Sequence, residues 1–342
     1  MKAIIFNAHG GPEVLKFTDV PDPTIRSNEV LVRVKACALN HLDVWVRLGL
    51  PGVPIPLPHI PGSDVSGEIA QIGADVTTVR AGQKVVLAPG VTCGKCPACV
   101  AGQDNHCRQF TNLGYLIDGG YAELVRAPEV NCLPYPENLS FEEAASIPLV
   151  FQTAWHMLLA RAELQPGEDV LVLGAGSGVG SAAIQIAKFF GARVIATAGS
   201  DEKLQKAKQL GADHLINHKT QKIRDEVRRI TNKRGVDVVF EHVGTATWDD
   251  SLASLAAGGR LVTCGATTGY DAKVDLRFLF TRQLSLLGSY MGTKSELHSL
   301  MRLVASGRFK PIVDRVFPLA EAAAAHTYLE SSSQFGKVVL RI

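Results

Sequence analysis

The segment Cys93-Gly-Lys-Cys96-Pro-Ala-Cys99, followed after seven residues by Cys107, is the densest set of metal-ligating side chains in the chain. Four thiols at this spacing suit one tetrahedral zinc ion held by thiolates alone. A set closed by four sulfurs leaves no position for a substrate, so the metal would be structural. An iron–sulfur cluster is the other chemistry that four cysteines support. Cys37, Cys132 and Cys264 stand singly in apolar segments and are expected as small buried core residues. A second stretch could hold an anion. In Asp169-Val-Leu-Val-Leu-Gly174-Ala-Gly176-Ser-Gly178-Val179-Gly180, four glycines spaced by two follow an apolar run. Glycines of this kind let the backbone turn tightly and approach a pyrophosphate, whose charge then sits at the N-terminus of the next helix.

These residues need elements to hold them. Val170–Leu173 is a continuous apolar run, suited to a strand buried on both faces of a parallel sheet. Val179, Ala183, Ile186, Ala187 and Phe190 fall on one face of a helix, which Gly191 is placed to stop. Arg193–Thr197 reads as the next strand, and strand, glycine turn, helix, strand is the context a dinucleotide fingerprint requires. Further short apolar strands, His214–Asn217, Val236–Phe240, Arg260–Cys264 and Leu284–Tyr290, alternate with helical segments from about residue 151. That is the βαβ rhythm of a doubly wound sheet. Residues 1–130 differ. Apolar segments Lys2–Phe6, Glu29–Lys35, Ser66–Ile72, Lys84–Leu87 and Tyr121–Val125 recur between Gly, Pro and Asp, and Val30, Val32 and Val34 alternate as on a half-buried strand. The Pro-rich segment Pro51–Pro61 cannot be regular helix. A helix around Ser295–Val304 leads to a last strand, Lys337–Ile342, and a tail this short is expected to return to the first domain.

Composition narrows the class. A chain of 342 residues with 46% hydrophobic content predicts two domains with large cores. The net charge of +2, from 35 basic and 33 acidic residues without a basic run, gives no argument for nucleic acid. No apolar run is long enough to span a membrane. The first residues turn polar by Asn7, too soon for a signal peptide, and seven cysteines fit a reducing compartment. The expectation is a soluble cytoplasmic protein.

With the zinc lobe, the glycine turn and the early β-rich segment together, the chain resembles the medium-chain dehydrogenase/reductase superfamily over essentially its whole length. The resemblance is strongest to its zinc-binding alcohol dehydrogenase and quinone oxidoreductase branches. It implies an α/β protein with a GroES-like β-rich catalytic domain over 1–150, a Rossmann domain over 151–290 and a return to the catalytic domain over 291–342. It also implies an active site in the cleft between the domains, and a homo-oligomer, dimer or tetramer, with Leu284–Tyr290 as a candidate pairing edge. Cys93, Cys96, Cys99 and Cys107 match the family's structural zinc lobe. The catalytic zinc is another matter. Where zinc alcohol dehydrogenases carry a Cys-His-x-Asp-like motif, this chain has Asn40-His41-Leu42-Asp43; where they carry Gly-His-Glu, it has Gly62-Ser63-Asp64. The third ligand position falls near Leu149. The segment from Asn40 instead resembles the Asn-Phe-Ile-Asp motif of zinc-free quinone oxidoreductases.

Without a Lewis acid, an acceptor must be electrophilic through conjugation: an enone, a quinone or an enoyl thioester. The developing enolate then needs only hydrogen-bond donors. Asn40 and His41 are the candidate catalytic donors; Asp43 is expected to make a structural hydrogen bond or an ion pair with Arg47, and Trp45 to line the cleft or the core. On the cofactor side, the strand Arg193–Thr197 ends at Gly199, where NAD-specific sites place an acid. Ser200 and Lys203 follow and could bind a 2′-phosphate, so NADP(H) is favoured over NAD(H). By resemblance, Thr153, His218, the Gly265-Ala266-Thr267 turn and Lys337 are further cofactor candidates. Three functions follow: an NADPH-dependent reductase of conjugated carbonyls; an alcohol dehydrogenase, zinc-free or recruiting a metal through His41, His59 and Asp64; and a non-catalytic nucleotide-binding protein.

Overall fold

The computed structural model describes all 342 residues. The chain forms two compact units, Met1–Leu149 with Thr293–Ile342, and Val150–Gly292.

The first unit is built on a seven-stranded sheet. Its strands run in the order Val313–Pro318, Lys337–Arg341, Glu29–Ala38, Asp64–Ile72, Lys84–Leu87 and Cys132–Pro134, with Leu124–Pro128 also paired to Glu29–Ala38. Val30, Val32 and Val34 point into a core shared with Ile4, Phe6, Val65, Ile69 and Tyr121, and with Leu329 and Leu340 from the C-terminal segment. One register detail creates the site. Ala38 pairs with Val339 on one side and with Asp64 on the other. The chain therefore leaves this strand at Asn40, enters the next strand at Asp64 and enters the last strand at Lys337, all at one end of three neighbouring strands. Helix His41–Leu48 follows at once and stops at Gly49, whose φ of 89° suits glycine.

The C-terminal segment holds two elements that periodicity did not predict, strand Val313–Pro318 and helix Ala322–Glu330. The strand reads as mixed charge and apolar residues because it is an edge, and the helix opens on a run of alanines, which carries little amphipathic contrast. Tyr121 is a correction of a different kind. The strand begins at Leu124, and Tyr121 lies before it with its carbonyl accepting the Ile4 amide at 2.8 Å.

The second unit is a six-stranded parallel sheet in the order His214–Asn217, Arg193–Ala198, Asp169–Val172, Val236–Glu241, Leu255–Thr263 and Ser285–Gly288. In chain order this is 3-2-1-4-5-6, the doubly wound Rossmann arrangement, whose direction reverses beside Asp169–Val172. That strand is buried throughout, as its uninterrupted apolar run requires. Strand Leu255–Thr263 starts earlier than Arg260 because Leu255 pairs with Val236, and a bulge containing Gly258 and Gly259 follows before Arg260 pairs with Val238. No helix of the protein is long and apolar enough to cross a membrane.

Candidate functional site

In the first unit the three strand ends bring Asn40, Asp64 and Lys337 into one buried cluster. The Lys337 ammonium donates to Asn40 Oδ1 at 2.5 Å and to Asp64 Oδ2 at 3.0 Å. Asn40 Nδ2 donates to the same Asp64 oxygen at 2.9 Å and, over a longer 3.4 Å, to the Ala38 carbonyl. The other Asp64 oxygen accepts the Leu149 amide at 2.9 Å. Asp64 is fully buried and Lys337 is 4% exposed, so this pair is cut off from bulk water. Ser63 Oγ donates to the Leu113 carbonyl at 2.7 Å. Lys337, a cofactor candidate from the resemblance, thus spends its charge on Asp64 within the first unit.

Asp43 turns back to cap its own helix. Its Oδ2 accepts the Asn40 amide at 2.7 Å, and its Oδ1 accepts the Gly62 amide at 3.1 Å. Burial pushes this carboxyl up to about 7, against the opposing pull of the Asn40 amide and the Lys337 ammonium. The expected Asp43–Arg47 pair does not form. Arg47, although fully buried, reaches Glu330 through two nitrogens at 3.1 and 2.8 Å and places Nη1 3.2 Å from His326 Nδ1. The opposite ring nitrogen of His326 is 3.2 Å from the Tyr121 hydroxyl, which in turn lies 3.4 Å from Asp43 Oδ2. Burial, with the Arg47 guanidinium adding to it, pushes the His326 ring down to about 3. His41 opens the helix half-buried, its ring 6.4 Å from that of Trp45. His59 is buried edge-on to Phe6. It does not join His41 and Asp64, since the only group of three or more His, Cys, Asp or Glu side chains close enough to share an ion is the cysteine set.

That set is Cys93, Cys96, Cys99 and Cys107, whose sulfurs all lie within 4.8 Å of one another. Separations of 3.9 Å (Cys93–Cys99), 3.5 Å (Cys96–Cys99) and 3.6 Å (Cys107–Cys93) bracket the roughly 3.8 Å edge of a zinc–thiolate tetrahedron. Backbone N–H groups of Lys95 and Cys96 point at Cys93 and lower its thiol to about 6, toward the ligating thiolate form. Pairing of Gly90 with Asn112 and Val91 with Thr111 closes the base of the lobe. By contrast, Cys37 is fully buried, while Cys132 and Cys264 are only half-buried by surface exposure, and desolvation raises both of these thiols to about 12.

In the second unit the glycine turn lies where the strand order reverses. Ser177 Oγ caps helix Gly178–Phe189 by accepting the Gly180 amide at 2.9 Å. A Cβ on Gly180 would stand 2.4 Å from the Gly174 carbonyl, so only glycine allows the helix to sit this close to its strand. His242, which the sequence reading did not single out, packs beneath the turn, its Nε2 2.8 Å from the Leu173 carbonyl and 3.3 Å from Ser177 Oγ. Its neighbour Glu241 is fully buried and accepts the Val243 and Gly244 amides and the Thr247 and Ser251 hydroxyls, which fixes that loop. Thr267 Oγ1 donates to the His242 carbonyl at 3.2 Å, and Gly244 packs on Ala266, so the Gly265–Thr267 turn joins the same edge. Gly176 and Val179 belong to the turn and the first helical turn. Thr153 lies in helix Pro148–Trp155 with its hydroxyl toward the Met291 sulfur.

At the end of strand Arg193–Ala198, a Cβ on Gly199 would come within 3.1 Å of His218 Nε2 and 3.2 Å of Lys219 Cε. Burial lowers the His218 pKa, and the charges of Lys219 and Lys203 lower it further. Ser200 caps helix Asp201–Gln209, with its Oγ accepting the Lys203 amide, and Asp201 accepts from Asn217 at 2.8 Å. Lys219 was not among the expected residues; it becomes visible only when the third strand is laid beside the second.

Comparison with known proteins agrees with this architecture. Residues 26–137 match the alcohol dehydrogenase GroES-like domain, and residues 178–306 match the zinc-binding dehydrogenase family. Rat quinone oxidoreductase is 32% identical over 99% of this chain and 97% of its own. An alcohol dehydrogenase of Geobacillus stearothermophilus is 35% identical over 100% of both. A crystal structure of an NAD-dependent alcohol dehydrogenase, 49% identical, superimposes with a TM-score of 0.97 over 100% of both chains. On this fold, this strand order and these likenesses, the chain belongs to the medium-chain dehydrogenase/reductase superfamily and is an oxidoreductase of that family.

Proposed function

We propose that the protein transfers a hydride from NADPH to a carbonyl compound activated by conjugation, such as an enone, a quinone or an enoyl thioester, without a catalytic zinc. The observation that carries this reading is the Lys337 ammonium on Asn40 Oδ1 and Asp64 Oδ2. A metal at these oxygens would compete with a buried cation already bound there, and Ser63 Oγ is engaged with the Leu113 carbonyl. The Asn40 amide hydrogens face Asp64 and Ala38, so Asn40 serves to hold the cluster, and the His41 ring, half-buried at the start of the helix, is taken as the donor to substrate. Asp43 secures the start of that helix.

The reduced nicotinamide supplies the hydride when bound. Addition at the β-carbon moves an electron pair onto the carbonyl oxygen, and a donor such as the His41 ring stabilises the resulting enolate before a proton reaches the α-carbon. Loss of a donor of this kind costs on the order of 100-fold in turnover, so His41→Ala should lower kcat by that amount while leaving cofactor affinity nearly unchanged.

The NADPH preference rests on Gly199 in place of an acid, with Lys203, His218 and Lys219 around it. Lys203→Ala and Lys219→Ala should each narrow the NADPH-over-NADH affinity gap, since each removes a charge that can meet a 2′-phosphate. Equal affinities in the unmodified protein would count against the assignment. We take the four-cysteine lobe as the site of one structural zinc, the seven free thiols as fitting a reducing, cytoplasmic setting, and the edge strand Ser285–Gly288 as the pairing surface of a homo-oligomer. The likeness to an NAD-dependent alcohol dehydrogenase favours a second reading, oxidation of a simple alcohol with NAD. A turnover screen separates the two: NADPH oxidation with enones or quinones supports the first, and NAD reduction by simple alcohols alone supports the second.

A further inference from the structure

We propose that His326, from the far end of the chain, is a positioning residue for the Asn40 site and acts on it through Tyr121 and Asp43. The direction of every hydrogen in this buried chain follows from Arg47, which can only donate. Its Nη1 is 3.2 Å from His326 Nδ1, so that nitrogen carries the lone pair and the neutral ring holds its hydrogen on Nε2. The Nε2–H donates to the Tyr121 oxygen at 3.2 Å, which leaves the tyrosine hydrogen for Asp43 Oδ2 at 3.4 Å. Asp43 is where the chain ends and the site begins. Its two oxygens accept the amides of Asn40 and Gly62, one on the segment leaving strand Glu29–Ala38 and one on the segment entering Asp64–Ile72. Asp43 therefore sets the spacing between the residues that carry Asn40 and Asp64.

The outer end of the network is as constrained as the inner one. Arg47 is pinned by two bonds to Glu330 and by Nε on the Gly10 carbonyl at 3.1 Å. A proton wire to the surface is excluded by the same residue, because a guanidinium between His326 and Glu330 does not give up its proton. Protonation of His326 would turn Nδ1 into a donor facing a donor and set two cations side by side, so the ring stays neutral. The arrangement is a rigid strut from helix Ala322–Glu330 to the N-terminus of helix His41–Leu48. Burial of a histidine, a tyrosine and an arginine with mutual hydrogen bonds is costly for a core that only needs to be filled, and a set that ends on two amides flanking a functional cluster has a positioning role.

The kinetic part of the test rests on the reductase reading; the structural part does not. Tyr121→Phe and His326→Phe keep the aromatic volume and remove the bonds, while His326→Gln keeps one acceptor and one donor. At pH 8, where Asp43 is ionised, amide hydrogen exchange at Asn40 and Gly62 should accelerate about tenfold or more in Tyr121→Phe and His326→Phe, consistent with the loss of one buried hydrogen bond. Exchange at Val32 and Val34 should be unchanged, and His326→Gln should restore part of the protection. With a conjugated acceptor, kcat should fall about tenfold while the KM for NADPH stays within about twofold. In the unmodified protein, the nitrogen chemical shifts of His326 at pH 7 should report a neutral ring protonated on Nε2. Unchanged exchange at Asn40 and Gly62, or a ring protonated on Nδ1, overturns the proposal even if the variants prove unstable. A wild type that turns over no conjugated acceptor rejects the reductase reading, and the exchange result alone then decides whether His326 positions Asn40.

Discussion

Lys337 and Asp64 form a buried ion pair at the strand ends of the first unit. Both are buried, so removing one leaves the other as an uncompensated charge in a low-dielectric interior. Lys337→Met should destabilise the protein by about 3–5 kcal/mol in denaturant unfolding, the cost of breaking a buried pair. The double variant Lys337→Met with Asp64→Leu should recover much of that loss; a single variant costing under about 1 kcal/mol would mean the pair is solvated after all. Asp43 gives a pH signature. Cys37, Asp64, Lys337 and Tyr121 face it, and burial raises its carboxyl from 3.8 to about 7. Asp43 thus binds its proton more tightly when folded than when unfolded, and its contribution to stability is full below about pH 4 and is lost as the pH rises through 7. Asp43→Asn loses an acceptor and should be less stable than the native chain, with the gap narrowing between pH 4 and 7. A gap that widens over that range contradicts the assignment. Asn40, Ser63 and Leu149 were legible in the sequence as departures from a metal-ligand pattern. The contact of Lys337 with Asn40 and Asp64 was not, because it arises only through the pairing of Val339 with Ala38.

At the scale of elements, the four-cysteine lobe is the clearest dependent piece. It has little core of its own and is held by four thiols, by the short Gly90–Val91 and Thr111–Asn112 pairing, and by Asp104, which accepts both the amide and the ammonium of Lys294. Cys99→Ser should release the zinc and lower the melting temperature by several degrees, read by elemental analysis and calorimetry. Retention of one zinc per chain in that variant would show that the four-thiolate reading is wrong. The central strands of the second unit were legible because a parallel sheet buries both faces, so Asp169–Val172 and Val236–Glu241 announce themselves as largely apolar runs. The C-terminal elements were harder. Val313–Pro318 is an edge strand, and His326 on an alanine-rich helix gives no local sign that it faces Arg47 and Tyr121. Networks assembled from four distant segments have no periodicity to betray them.

At the scale of the molecule, the family architecture carries a buried ion pair at the strand ends of the first unit. The GroES-like and zinc-binding dehydrogenase matches accompany the 3-2-1-4-5-6 sheet and the four-cysteine lobe, and Asn40, Asp64 and Lys337 form a hydrogen-bonded, charge-compensated cluster at the positions where the sequence departs from a catalytic-zinc pattern. The composition, near neutral in charge, gave no argument for nucleic acid and carried no information about the substrate. The most direct test of zinc-free hydride transfer is the initial rate of NADPH oxidation with a simple enone, measured on protein of known zinc content before and after treatment with a chelator. Zinc-free hydride transfer predicts turnover with one zinc per chain and an initial rate that the chelator leaves unchanged. No turnover of the enone, together with chelator-sensitive oxidation of a simple alcohol, would contradict it.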